Sequence, residues 1–89
     1  MSSEIRAIVK GRVQGVGFRA TAKFYAEKLK LTGFARNLQN GEVEICAQGE
    51  KKALEEFINH LKQEFSDYIR EVILDYKPIS TTLSGFQIH

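Results

Sequence analysis

The 89-residue sequence has no tryptophan, one cysteine, one proline and two histidines. It also lacks any apolar run near the roughly 20 residues that a membrane helix needs. A lone Cys46 excludes an intramolecular disulfide and gives no sign of an oxidising compartment. Cys46 has no adjacent His or acid to stabilise a thiolate, so it is a poor candidate nucleophile. His60 and His89 form no metal-ligand spacing and are expected on the surface. Clustered carboxylates and a Ser/His/Asp set are missing too, so neither a metal nor a cofactor is expected. No signal peptide is expected, since Ser2 to Arg6 leads straight into an alternating run, and the expected location is cytoplasmic. There is no internal repeat and no low-complexity segment.

What is present is ordinary globular composition, 43% hydrophobic and 27% charged. A chain of this size buries about 60 to 65% of its unfolded surface, enough for one self-sufficient core, and residues 1–89 are expected to form a single stand-alone domain. The net charge of +2 conceals an asymmetry. Residues 1–36 carry eight Lys or Arg against Glu4 and Glu27, a net of +6, whereas residues 37–89 carry five against nine acids, a net of −4. A basic half of this kind attracts small anions, although most such charges belong to solvated faces.

Ile5, Ala7 and Val9 alternate with Arg6 and Lys10, which predicts a half-buried strand running into Gly11. Phe18, Ala22, Tyr25, Ala26 and Leu29 recur at helical spacing and predict a helix from about Phe18 to Lys30. Thr32 to Gln39 reads as a second strand. Asn40-Gly41 then predicts a hairpin with a type I′ turn, because both residues tolerate positive φ. Val43, Ile45 and Ala47 form the apolar face of the third strand, with Cys46 on the other side. Leu54, Phe57, Ile58, Leu61 and Phe65 trace one face of a helix from about Lys51 to Glu64. Arg70 to Lys77 is a fourth strand with Val72, Leu74 and Tyr76 on one side, ended by Pro78, and Phe86 with Ile88 suggests a short fifth. The order βαββαβ plus an edge strand predicts an α/β (α+β) ferredoxin-like sandwich, an antiparallel sheet with two helices on one face.

The join between the first strand and the first helix carries the chemistry. Gly11-Arg12-Val13-Gln14-Gly15-Val16-Gly17-Phe18-Arg19 sets three glycines and two arginines at a helix start, where about four backbone N–H groups lack partners and the dipole is positive. Gly15 and Gly17 let a ligand approach those donors, and Arg19 adds a permanent charge with two parallel donors suited to phosphate oxygens. Spacing alone does not separate this anion site from a tight strand-to-helix connection with one solvated arginine.

The segment Gly11 to Arg19 resembles the signature of the acylphosphatase family. It is followed, in the family's order, by Leu31-Thr32-Gly33-Phe34-Ala35-Arg36-Asn37 and Asn40-Gly41-Glu42-Val43-Glu44. The resemblance covers the whole chain and implies the same ferredoxin-like fold. It implies that Gln14, Gly15, Val16, Gly17, Phe18 and Arg19 bind the phosphate of a small acyl phosphate, with Arg19 and Asn37 catalytic and Asn37 holding the attacking water. From the residues alone, the favoured reading of Asn37 is a strand-end asparagine capping the nearby turn. Three departures stand out: Lys30 where a helix-ending glycine is usual, Asn40 in place of an aspartate, and no Gly-Pro pair between Phe65 and Ile69.

An acyl phosphate needs little catalytic apparatus, because its leaving carboxylate is a weak base whose conjugate acid has a pKa of about 4. Phosphoryl transfer then rests mainly on positioning and electrostatics. A silent anion-binding or regulatory domain, and a domain cut from a larger carbamoyl-transfer protein, are the alternatives. An RNA-binding module of the same strand order is disfavoured, since the first and third strands carry no Phe, Tyr or Trp on which bases would stack. The expected partner is therefore a small-molecule substrate, with no nucleic acid and no membrane, acted on by a monomer.

Overall fold

Ile5, Ala7 and Val9 are all buried on one face of β1 (Ser2–Gly11), as their alternation requires. The computed structural model describes residues 2–89. After β1 come α1 (Phe18–Lys28), β2 (Thr32–Asn37), β3 (Val43–Glu50), α2 (Lys51–Glu64), β4 (Ile69–Lys77) and β5 (Phe86–Ile88). The strands form one sheet in the order β4-β1-β3-β2-β5. The first four pair antiparallel, as expected of a ferredoxin-like sandwich, and β5 joins β2 in parallel, which makes the whole sheet mixed. Both helices pack on the face of Ile5, Ala7, Val9, Val43, Ile45 and Ala47. Among the described residues no helix is long and apolar enough to cross a membrane.

The helices lie over β1, β3, β2 and β5, leaving β4 as a thinly covered edge. Val72, Leu74 and Tyr76 do share a face, yet Leu74 and Tyr76 stay about one-third exposed, and α2 meets Tyr76 through the Lys51 ammonium, 5.6 Å from the ring centroid. The absent Gly-Pro pair after α2 is made good by local hydrogen bonds. The N–H groups of Tyr68 and Ile69 both donate to Phe65 O at 2.9 Å, and Phe65 itself is buried with its ring 4.9 Å from that of Phe18.

Two boundaries differ from expectation. The helix α1 ends at Lys28, not Lys30, because Lys30 takes the left-handed conformation with φ of 60°. Its N–H donates to Glu27 O at 3.1 Å and that of Leu31 to Ala26 O at 2.8 Å, which is the Schellman closure normally built on glycine. The hairpin after β2 is not a type I′ turn, since Asn40 does not have positive φ and only Gly41 does, at 92°. Gly41 N–H donates to Leu38 O at 3.2 Å and Leu38 N–H to Glu42 O at 2.8 Å, closing a three-residue loop with Gly41 as its left-handed member. Asn40 keeps negative φ because its side chain accepts from Glu42 N–H at 3.0 Å. This closure also ends β2 at Asn37 instead of Gln39.

The sheet's outer face is polar but not open. Glu44 is buried between Arg36, directly opposite on β2, and Arg6, diagonally placed on β1, each donating through Nε at 2.5 Å. Burial pushes the Glu44 carboxyl up, but the hydrogen bonds and charges of the two arginines outweigh it and the net shift is downward. Gln48, also buried, donates to Glu4 Oε1 at 2.8 Å and to Thr81 O at 2.5 Å, and accepts from Leu83 N–H at 2.9 Å. It thereby ties the β4–β5 connection to the sheet. The hydrogen bond from Gln48 is the main cause holding the Glu4 carboxyl below its usual range.

The Lys30→Gly variant should be about 0.5–1 kcal/mol more stable, because relief of left-handed strain exceeds glycine's added entropy in the unfolded chain. A rise in urea midpoint at unchanged m value checks this. Acid should unfold the protein through Glu4 and Glu44. Their folded pKa values lie below 4.5, so the stability they contribute is complete above that pH and is lost as pH falls through the folded values. Glu44→Gln should cost about 1–3 kcal/mol at pH 7 and flatten the decline in urea midpoint between pH 5 and 3. An unchanged acid slope would remove Glu44 as a cause.

Candidate active site

The loop between β1 and α1 is anchored before it turns. Arg12 N–H donates to Tyr68 O at 2.9 Å, and Val13 is buried in the core. Gly15 has φ of 76° and Gly17 of 81°, with Val16 between them at negative φ. Alternation of this sign turns successive N–H groups toward one side, forming a nest for an anion. A Cβ at Gly15 or Gly17 would meet nothing within 4 Å, so glycine is required there by backbone angle and not by crowding.

Gly17 is the N-cap of α1, in left-handed geometry, with no side-chain cap and no acid in the first turn. The first N–H to find a helical acceptor is that of Thr21, which donates to Gly17 O at 3.0 Å. Among the described residues, the N–H groups of Gly15 to Arg19 have no backbone acceptor. Arg19, second residue of the helix, adds a cation where the dipole already disfavours one. Such a terminus is costly until an anion joins it.

The nest opens into a concavity of about 160 Å³ lined by Val13, Gly15, Gly17, Phe18, Arg19, Ala20 and Ile88. Of the expected phosphate-binding positions, Gly15, Gly17, Phe18 and Arg19 thus come together, whereas Gln14 and Val16 do not line it. Val16 packs partly buried against the core. The Gln14 side chain points elsewhere and donates through Nε2 to Leu38 O at 2.7 Å and Glu42 O at 3.0 Å.

Asn37 is exposed and is not among the lining residues. Its placement follows from register. Asn37 pairs with Val43, and Val43 with Val9, so the three form one row on the helix-covered face at the end of the sheet where β1 enters the loop. Asn37 therefore lies on the same side and end of the sheet as the nest. Its side chain makes no hydrogen bond among the described residues, and the turn-capping role is filled by Asn40 and Gln14 instead.

Ile88 and His89 escaped sequence reasoning. Parallel pairing sets Ile88 beside Ala35, and His89 N–H donates to Ala35 O at 2.9 Å. Arg19 Nη1 in turn donates to His89 O at 2.8 Å, which holds the guanidinium at the rim with one of its five donors. Only knowledge that β5 pairs beside β2 would have brought positions 19 and 89 together. Cys46 lies on the opposite face, its thiol pushed up by burial and by Glu4, so it is no thiolate. Among the described residues no group of three or more His, Cys, Asp or Glu is placed to hold a metal ion.

Known proteins resemble this chain in both sequence and fold. The sequence pattern of the acylphosphatase family matches residues 5–88. An acylphosphatase of Thermus thermophilus is 60% identical over 57 residues, covering 64% of this chain and 65% of that protein. The matched stretch thus spans slightly less than two thirds of that relative. The crystal structure of an acylphosphatase from Bacillus subtilis superposes with a TM-score of 0.89 at 33% identity, covering 100% of this chain and 99% of that one. Full-length HypF, in a phosphate- and nucleotide-bound form, matches with a TM-score of 0.80 at 25% identity over 100% of this chain but only 12% of its own. With both motif segments inside the matched range and the same fold around them, the chain belongs to the acylphosphatase family.

Proposed function

We propose that this protein hydrolyses the carboxyl-phosphate bond of small acyl phosphates without a metal ion, giving a carboxylate and inorganic phosphate. The observation that carries the reading is the uncapped start of α1, where the Gly15–Gly17 nest and Arg19 supply positive potential to one concavity. A concavity of about 160 Å³ has room for a phosphoryl group and a water. It is well below the size of pockets that enclose a whole organic ligand, so the acyl group extends into solvent and selects little.

In this mechanism the N–H groups of residues 15–19 and the Arg19 guanidinium hold the phosphate oxygens, and Asn37 orients a water in line with the P–O bond. An amide both donates and accepts, so it fixes a water without changing charge. The water oxygen attacks phosphorus as the carboxylate departs with the bonding electron pair, needing no general acid. A non-bridging phosphate oxygen takes the water's proton. A second reading, a silent anion-binding domain, is favoured by one fact: Asn37 does not line the concavity.

Benzoyl phosphate hydrolysis with EDTA present, set beside calorimetry of inorganic phosphate binding, separates the two. Asn37→Ala should lower hydrolysis by about 10² or more with phosphate affinity within about threefold, since water orientation affects rate and not ground-state binding. Arg19→Lys should cost about 2–4 kcal/mol of transition-state stabilisation and weaken phosphate in step. Loss of turnover on chelation, restored by Mg²⁺ or Zn²⁺, would defeat metal independence. Phosphate binding with no hydrolysis in the parent protein would establish the silent domain.

A further inference from the structure

The Gln14 side chain makes the two hydrogen bonds that connect the phosphate loop to the β2–β3 turn, and both use one nitrogen. Nε2 donates to Leu38 O at 2.7 Å and to Glu42 O at 3.0 Å. These are the two carbonyls that close the hairpin loop, for Leu38 O accepts from Gly41 N–H and Glu42 O from Leu38 N–H. Both amide protons of Gln14 are thus committed to the residues that flank the turn, and Leu38 directly follows Asn37.

Among the described residues no other polar contact joins residues 12–17 to residues 37–42. The strand order explains why one is needed. β3 lies between β1 and β2, so the loop leaving β1 and the residue ending β2 belong to strands that share no ladder. Their relative position rests on β3, on the Lys10–Glu42 ion pair at 3.7 Å and on this bridge, the one of them that starts from the loop itself. Asn37 ends its strand and is exposed, so the main-chain position of Leu38 sets where the Asn37 amide sits.

We infer that the Gln14 side chain is a positioning residue, which fixes the distance between the phosphate nest and the water-orienting amide of Asn37. The inference rests on the reading of Asn37 given above. Its nest neighbours bind phosphate through main-chain N–H groups that a side-chain change leaves in place, so Gln14 acts on turnover and not on phosphate affinity. A misplacement of about 1 Å at a reacting centre costs up to about 10²-fold in rate.

The test is a double-mutant cycle on benzoyl phosphate hydrolysis with Gln14→Met, which keeps length and removes both donors, and Asn37→Ala. In the parent background Gln14→Met should lower kcat about 10- to 100-fold, with inorganic phosphate affinity by calorimetry within about threefold. In the Asn37→Ala background the same change should cost less than about twofold, because there is no amide left to position. Amide hydrogen exchange at Leu38 and Gly41 should quicken in Gln14→Met while that of α2 is unchanged, which also certifies the fold. Unchanged kcat in Gln14→Met with a normal loss in Asn37→Ala overturns this inference alone. An equal loss in both backgrounds, or a parallel loss of phosphate affinity, overturns it as well, since Gln14 would then serve the nest. Unchanged kcat in Asn37→Ala overturns this inference together with the reading beneath it.

Discussion

A helix terminus left electrostatically incomplete is the constraint around which this molecule is arranged. The first turn of α1 has no capping side chain, no acid and an arginine at its second position. A missing cap costs about 1 kcal/mol, and a cation at the positive end adds to it. The helix holds because its stability comes from the opposite face, where Phe18, Ala22 and Ala26 are buried against the sheet and the Phe65 ring. Phe18 belongs to both sides of this arrangement, being the first helical residue, a core member and a wall of the concavity. The concavity is therefore seated directly on the core.

The sheet supports the site from its other face. A two-layer sandwich leaves one sheet face without a helix, and here charge closes it. Arg6 and Arg36 are each about half exposed, while the carboxylate between them is almost wholly buried. That geometry keeps the desolvation cost moderate, because the cations retain water while the anion receives two charge-assisted hydrogen bonds. The triad spans β1, β3 and β2, which carry the loop and Asn37 at the same end of the sheet. It fixes the strands whose spacing the site inherits.

Much of this was legible in the sequence where a period or a local bond decides the outcome. Ile5, Ala7 and Val9 gave β1 its buried face, and the five apolar positions of α2 gave that helix its side. The glycine pair marked the turn into α1, and Gly15 and Gly17 do take positive φ there. What sequence reasoning misjudged was local competition. Asn40-Gly41 was expected as a type I′ turn, but the Asn40 side chain captures Glu42 N–H and keeps its own backbone at negative φ. Lys30 shows the converse, a residue held in a strained conformation because the two Schellman bonds and the burial of Leu31 outweigh the strain. The outer-face charges read as solvated, and Glu44 is not, since burial there depends on which arginines a neighbouring strand brings.

The parts of the site that sequence could not deliver share one physical origin: they depend on strand order. Asn37 reaches the nest's side of the molecule only because β3 inserts between β1 and β2 in a register that aligns Val9, Val43 and Asn37 in one row. A shift of one residue in the β2–β3 ladder would send Asn37 to the outer face and Arg36 to the inner one. Arg19 is tethered by His89 O for the same kind of reason, because β5 lies parallel to β2 and delivers the main chain past Ala35 to the rim. That tether leaves four guanidinium donors for a ligand while limiting the rotamers the side chain must give up on binding one. The docking of the last strand thus shapes the rim of the concavity, since Phe86 is buried in the core and Ile88 is one of the lining residues.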